Sequence, residues 1–136
     1  MAFSDPAKGR SVISSPGPEA PSVTVAEAVK EGDVLGYSSG WKRALATVGG
    51  VIQGRLVALK DTPSGGVCPV AMVCVVTGYS GATPGGYVYV AEGTSNGQVT
   101  QTAPSTTNDA NTIIGIALSA TDILFVLNSR ADSLSS

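Results

Sequence analysis

Histidine is missing from all 136 residues, and that absence closes more chemistry than any other feature of the chain. Without an imidazole, a serine or cysteine nucleophile has no usual general base, and most zinc and iron sites lose their commonest ligand. Charge is scarce as well. Asp, Glu, Lys and Arg make up 13% of the residues, well below the roughly one quarter of an ordinary globular chain. Net charge is −2, and the eight Lys and Arg are scattered, so no phosphate track is expected and no nucleic acid as a partner. The apolar stretches are all too short to span a bilayer, which argues against a membrane partner. The first twenty residues carry Pro, Ser and charges where a secretory signal would have an apolar centre. Two cysteines, Cys68 and Cys74, lie six positions apart. In one strand they would stand roughly 20 Å apart, too far for a disulfide, which needs Cα atoms within about 7 Å. They read as buried thiols used as small hydrophobes, in keeping with a reducing compartment.

What is present is aliphatic and finely cut. The hydrophobic share is 43% with only 5% aromatic, interrupted by 17 Gly and eight Pro. The length suits one domain with a real core. Thr112 to Asn128 (TIIGIALSATDILFVLN) organises the rest: two strands joined at Thr121-Asp122 in a hairpin. In its second arm Ile123, Phe125 and Leu127 alternate with Leu124 and Val126, so both faces are apolar and the arm is expected to be an inner strand covered on two sides. Further strands are expected at Ser22–Ala28, Val34–Tyr37, Trp41–Leu45, Val51–Leu59, Val67–Val76, Tyr87–Ala91 and Gln98–Thr102, with Ser38-Ser39-Gly40, Asp61–Gly66, Gly78–Gly86 and Gly93–Gly97 as turns or loops. Gly54 reads as a bulge or a close contact. No sustained helical period occurs. About nine short strands so spaced predict an all-β fold, a single compact β-sandwich or barrel. The domain is expected over 22–128, after an extended Pro-rich N-terminal arm at 1–21 and before a short polar tail at 129–136. The arm holds four of the eight prolines. Alone in water it is expected to be extended or disordered, with a reach of up to roughly 70 Å.

Gly36-Tyr37-Ser38-Ser39-Gly40 matches the G-x-S-x-G nucleophile elbow, but the chain lacks the histidine and the strand–turn–helix setting, so a hairpin turn is the better reading. The ten carboxylates are dispersed. Asp33, Asp61 and Asp122 each fall in a turn, where Asp bonds its own backbone. Glu31-Gly32-Asp33-Val34-Leu35 is similar to the turn of biotinyl and lipoyl carrier domains, yet Ala71-Met72-Val73 offers no lysine for the cofactor. Trp41-Lys42-Arg43 could stack on a base or sugar, although a half-buried Trp with two solvated cations explains it as well. No cofactor, metal or small-molecule substrate is expected.

Three blocks in order carry a resemblance: Gly32-Asp33-Val34-Leu35 followed by Trp41 to Ala44; Gly85-Gly86-Tyr87-Val88-Tyr89-Val90 followed by Gln98-Val99-Thr100; and Ile113-Ile114-Gly115-Ile116-Ala117-Leu118 followed by Ile123 to Leu127. Together they resemble the small phage capsid decoration, or cement, proteins of the capsid decoration-like family, over roughly Thr24 to Asn128. Gly85-Gly86 stands where that family often has Gly-Asp. The resemblance implies a β-tulip-like domain and a non-enzymatic homotrimer on the outer surface of the virion, made in the host cytoplasm, with the major capsid protein as partner. An extended arm would add a strand to a partner's sheet edge, which makes Phe3, Pro6, Lys8, Arg10, Val12, Ile13, Pro16 and Pro18 the candidate partner-binding residues. A carbohydrate-binding β-sandwich, stacking sugars on Trp41, Tyr37, Tyr79, Tyr87 and Tyr89, is the alternative. An enzyme working with carboxylates alone is the third reading.

Overall fold

The computed structural model describes residues 3–14, 22–127 and 132–136. All of its regular elements are strands: β1 Ser11–Ser14, β2 Ser22–Thr24, β3 Val34–Tyr37, β4 Trp41–Arg43, β5 Leu56–Ala58, β6 Val67–Ala71, β7 Val73–Thr77, β8 Tyr87–Val90, β9 Val99–Thr100, β10 Gly115–Ala117 and β11 Asp122–Val126. They form two antiparallel sheets, one of six strands in the order β1-β7-β11-β10-β8-β9 and one of five in the order β2-β6-β5-β3-β4. The all-β sandwich expected from the strand pattern is the fold. The β3–β4 hairpin pairs Tyr37 with Trp41 and turns through Ser38 to Gly40, where the Ser38 N–H donates to the Gly40 carbonyl at 2.9 Å. The G-x-S-x-G match is therefore a tight turn.

The apolar run Val67–Val76, expected as one strand, is two strands in different sheets. Ala71 pairs with Val57 in the five-stranded sheet, Met72 bends outward with 48% of its surface exposed, and Val73 pairs with Val126 in the six-stranded sheet. Hydrophobic periodicity does not register such a bend, because both halves remain extended and apolar. The two cysteines consequently sit in separate sheets, both free and buried.

The sheets pack face to face. Val34, Val57 and Ala71 from one meet Val76, Val88, Ile114 and Phe125 from the other in the main core. Gly54 lies within this layer, where a Cβ would come 2.8 Å from Val34 Cγ1, so it marks a close contact. A second cluster on the far side of the five-stranded sheet gathers Leu35, Ala58, Cys68 and Val70 under Val25 and Val29 of the β2–β3 connection. Adjacent residues of this sheet (Val34 and Leu35, Val57 and Ala58, Val70 and Ala71) are thus both buried. The six-stranded sheet differs. In β11, Ile123 and Phe125 are buried while Asp122, Leu124 and Val126 are partly exposed, and β7 alternates in the same way. The second arm of the hairpin is an inner strand, as expected, but among the described residues no layer covers its outer face.

The leading segment also departs from expectation. Residues 3–14 do not stand apart as an arm. β1 forms the edge of the six-stranded sheet, with Ser11 opposite Thr77 and Val12 opposite Val76, and Ser4 exchanges backbone hydrogen bonds with Ser80. Residues 15–21, with Pro16 and Pro18, lie outside the described residues. The described end of the tail is docked as well. Arg55 forms a paired ion contact with Asp132 at 2.5 and 2.6 Å, and Ser135 Oγ donates to the Pro104 carbonyl at 2.5 Å.

Burial separates strand positions by their energetic weight. Phe125→Ala, at a fully buried site, is expected to cost about 3–5 kcal/mol through lost burial and a residual cavity. Val67→Ala, at a strand site that is 66% exposed, is expected to change stability by no more than about 0.5 kcal/mol. Guanidinium unfolding midpoints measure both.

Candidate functional site

The expected partner-binding residues fall on two sides of the leading segment. Pro6, Lys8 and Ile13 face solvent, Ile13 with 56% of its surface exposed. Phe3, Arg10 and Val12 turn inward. The Phe3 ring stacks on Tyr79 with centroids 5.9 Å apart and planes 22° apart, and Val12 packs on the main core. The Arg10 side chain is 0% exposed within the chain.

The seat of Arg10 is built by three chain segments. Ala7 and Gly9 take positive φ values of 66° and 78°, which fold the segment back so that the Arg10 guanidinium donates to the Ala7 carbonyl at 2.9 Å. The same guanidinium donates to both carboxylate oxygens of Asp5, at 3.3 and 3.2 Å, and to Asp33 Oδ1. Asp33 Oδ2 in turn accepts from the Lys30 N–H at 2.8 Å, closing the turn ahead of β3. Asp5 also reaches the opposite sheet edge, accepting from the Val99 N–H at 3.0 Å. Next along, the Val12 N–H donates to Glu31 Oε2 at 2.8 Å. Two glycines make room. At Gly32 (φ +89°) a Cβ would lie 3.1 Å from Arg10 Nε, and at Gly97 (φ +80°) it would lie 2.9 Å from the Asp33 carboxylate carbon. Both the left-handed backbone and the missing side chain are needed there.

Asp33 was legible as a turn former, and it is one. Its second role, as counter-ion to a residue 23 positions away, leaves no spacing signal in the sequence. Burial pushes its carboxyl above the ordinary value, against the pull of Arg10 and the Lys30 N–H. Burial also pushes the neighbouring Tyr79 hydroxyl up, and the Cys74 thiol up to about 12. Cys74 is thus held as a neutral thiol, a packing group without nucleophilic character at neutral pH.

A second carboxylate constellation links Glu92 and Asp109. Their shared hydrogen bond holds Glu92 above and Asp109 below the usual carboxyl value, and Asp109 is further anchored by the N–H groups of Val48, at 2.7 Å, and Thr106, at 3.2 Å. The pair ties three loops together. An open cleft of about 430 Å³ runs beside it, lined by Phe3, Asp5, Glu92, Gln98 and Thr100 among others. Asp5 within it is already committed to Arg10 and Val99. Among the described residues no group of three or more His, Cys, Asp or Glu side chains could hold a metal ion.

The aromatic residues proposed for sugar stacking do not form one platform. Tyr37, 66% exposed, meets Trp41 edge to face at 5.5 Å on the β3–β4 hairpin, Tyr79 is buried, and Tyr87 and Tyr89 belong to the other sheet. Lys42 and Arg43 are partly buried beside Trp41, and Arg43 is paired with Glu27 at 3.0 Å. Comparison of the chain with family models, curated proteins and solved structures gives no match.

Removing the buried cation should strand two carboxylates. Arg10→Met is expected to lose about 3–5 kcal/mol at neutral pH. Without the guanidinium, the folded state holds Asp33 still further above its ordinary value of 3.8. It therefore binds the proton more tightly than the unfolded chain does, and stability rises as pH falls from about 7 toward about 4. Chemical denaturation of both proteins across that range measures the recovery, which the unmodified protein should show to a smaller extent.

Proposed function

We propose that the protein is a structural capsid decoration protein, binding the outer surface of a phage shell as a homotrimer and clamping neighbouring major capsid proteins. The observation that carries this reading is the set of three ordered sequence blocks that resemble that family. In the fold they supply the β3–β4 hairpin of the five-stranded sheet and four adjoining strands, β11-β10-β8-β9, of the six-stranded sheet. Scarce charge and a compact β scaffold suit permanent contact better than turnover. The mechanism is stapling: each trimer engages several shell subunits at once, and the high effective concentration of the remaining contacts makes release rare. No covalent step is involved.

Contact with the shell is assigned to the outward side of the leading segment, at Pro6, Lys8 and Ile13, together with Pro16 and Pro18 on the strength of the sequence. Phe3, Arg10 and Val12 serve instead to hold the segment in place. Deleting the whole segment would therefore damage the domain along with any contact surface, which makes point substitutions the sharper probe.

Purified protein mixed with undecorated shells is expected to co-sediment saturably, and binding no greater than that of an unrelated β protein would refute the proposal. The double variant Lys8→Glu, Ile13→Asp is expected to weaken shell binding about 10-fold or more. Its thermal midpoint should stay within about 3 °C of the parent, since both sites are exposed.

A further inference from the structure

We infer that the outer face of the six-stranded sheet is the surface through which copies of this chain meet. Strand register places Val75 opposite Leu124, Leu124 opposite Ile116, and Ile116 opposite Tyr87, a row of apolar side chains that crosses four neighbouring strands. Val73 opposite Val126 begins a second row beneath it. Each of these six residues is partly or largely exposed, Tyr87 to 56%. Across all six strands of the sheet the only charged residue is Asp122, and its carboxylate is occupied by the hydroxyls of Thr77 at 2.6 Å and Thr121 at 2.9 Å.

Such a face is the composition of a sandwich interior turned outward. The five-stranded sheet shows what the chain does with a comparable surface, since it lays Val25 and Val29 over it. At strand and residue spacings of about 4.8 and 3.3 Å, the open face measures on the order of 400 Å². That is within the size of patches that mark interaction sites, and about half of what one partner contributes to a standard interface. The surface that fits an apolar sheet face with one engaged charge is another of the same kind at about 10 Å, and the chain carries one itself. A partner of different sequence would be selected by complementary charge, which these strands do not offer. Stacked in pairs, such faces make a two-fold contact; turned toward a three-fold axis, the three faces instead line one shared apolar interior, and either closed symmetry leaves no open apolar edge to propagate. The number three rests on the capsid decoration reading; the choice of face does not.

Sedimentation velocity and native mass measurements on the intact protein, on Leu124→Glu and Ile116→Glu separately, and on the control Val67→Glu test the inference. The parent and the control are expected to be trimers at about 10 μM, and each face variant is expected to dissociate with affinity lowered by about 30-fold or more. Radical footprinting of the unmodified protein, which does not depend on any variant folding, should show Tyr87 protected in the oligomer and reactive on dilution. A dimer that the face variants disrupt supports the face and contradicts the three-fold count. A trimer indifferent to both variants, with Tyr87 reactive throughout, overturns the face and leaves shell binding intact. A parent that is monomeric at about 100 μM overturns self-association. In that case, loss of shell binding in the face variants would assign the surface to the shell protein.

Discussion

A guanidinium removed from water is the constraint that the architecture is arranged to satisfy. Arg10 sits between Asp5 and Asp33 with all three side chains almost fully buried. Moving such charges into a protein interior costs several kcal/mol per ion; both terminal nitrogens of Arg10 are partnered, while its buried Nε has no hydrogen-bond partner among the described residues. Each partner comes from a different place: Asp5 from the start of the leading segment, Asp33 from the turn before β3, with Gly32 and Gly97 giving way around them. A network of this kind is favourable when complete and costly when any member leaves. It therefore couples the leading segment to the junction of both sheets. β1, which has only four residues and an irregular register with β7, gains a fixed position that its own backbone pairing would not guarantee.

The two sheets carry unequal loads. The three central strands of the five-stranded sheet, β6, β5 and β3, each bury residues on both sides within the chain, and this explains why they read as apolar without a clear alternation. The six-stranded sheet contributes one face to the core and keeps an aliphatic second face with a single engaged charge. Scarcity of charge in the whole chain, 13% of residues, is concentrated in this surface. A monomer with such a face bears an aggregation liability, whereas an assembly that covers it gains an interior. The decoration reading and the self-contact reading meet at this point, one supplying the context and the other the surface.

Strands whose pattern is set by their nearest neighbours were legible in the sequence. β3, the Ser38–Gly40 turn and β8 fall where Gly punctuation and alternation place them, and the hairpin of β10 and β11 is present with a turn slightly wider than expected, over 118–121. Features set by distant parts of the chain were not legible. The Met72 bend divides an apolar run whose two halves serve different sheets, and composition is blind to that change of direction. Apolar residues on both faces of β11 signalled two covered sides, but the second cover is not supplied by the described part of this chain. Arg10 looked like one more cation in a polar leader, because nothing within its own segment reveals an acidic partner at Asp33. Prolines and the absence of an apolar period pointed to a loose arm, while residues 3–14 are anchored by the β1–β7 pairing, the Ser4–Ser80 backbone bonds, one ion network, one ring stack at Phe3 and the half-buried Val12.

Amide hydrogen exchange on the intact, unmodified protein tests most directly whether the leading segment belongs to the domain. If the buried Arg10 network locks it there, the Ser4 and Val12 amides, which donate to Ser80 and Glu31, should exchange with protection approaching that of β7 and be released only with global unfolding. Exchange of these amides at free-chain rates, in a protein whose β7 and β11 remain protected, would contradict it.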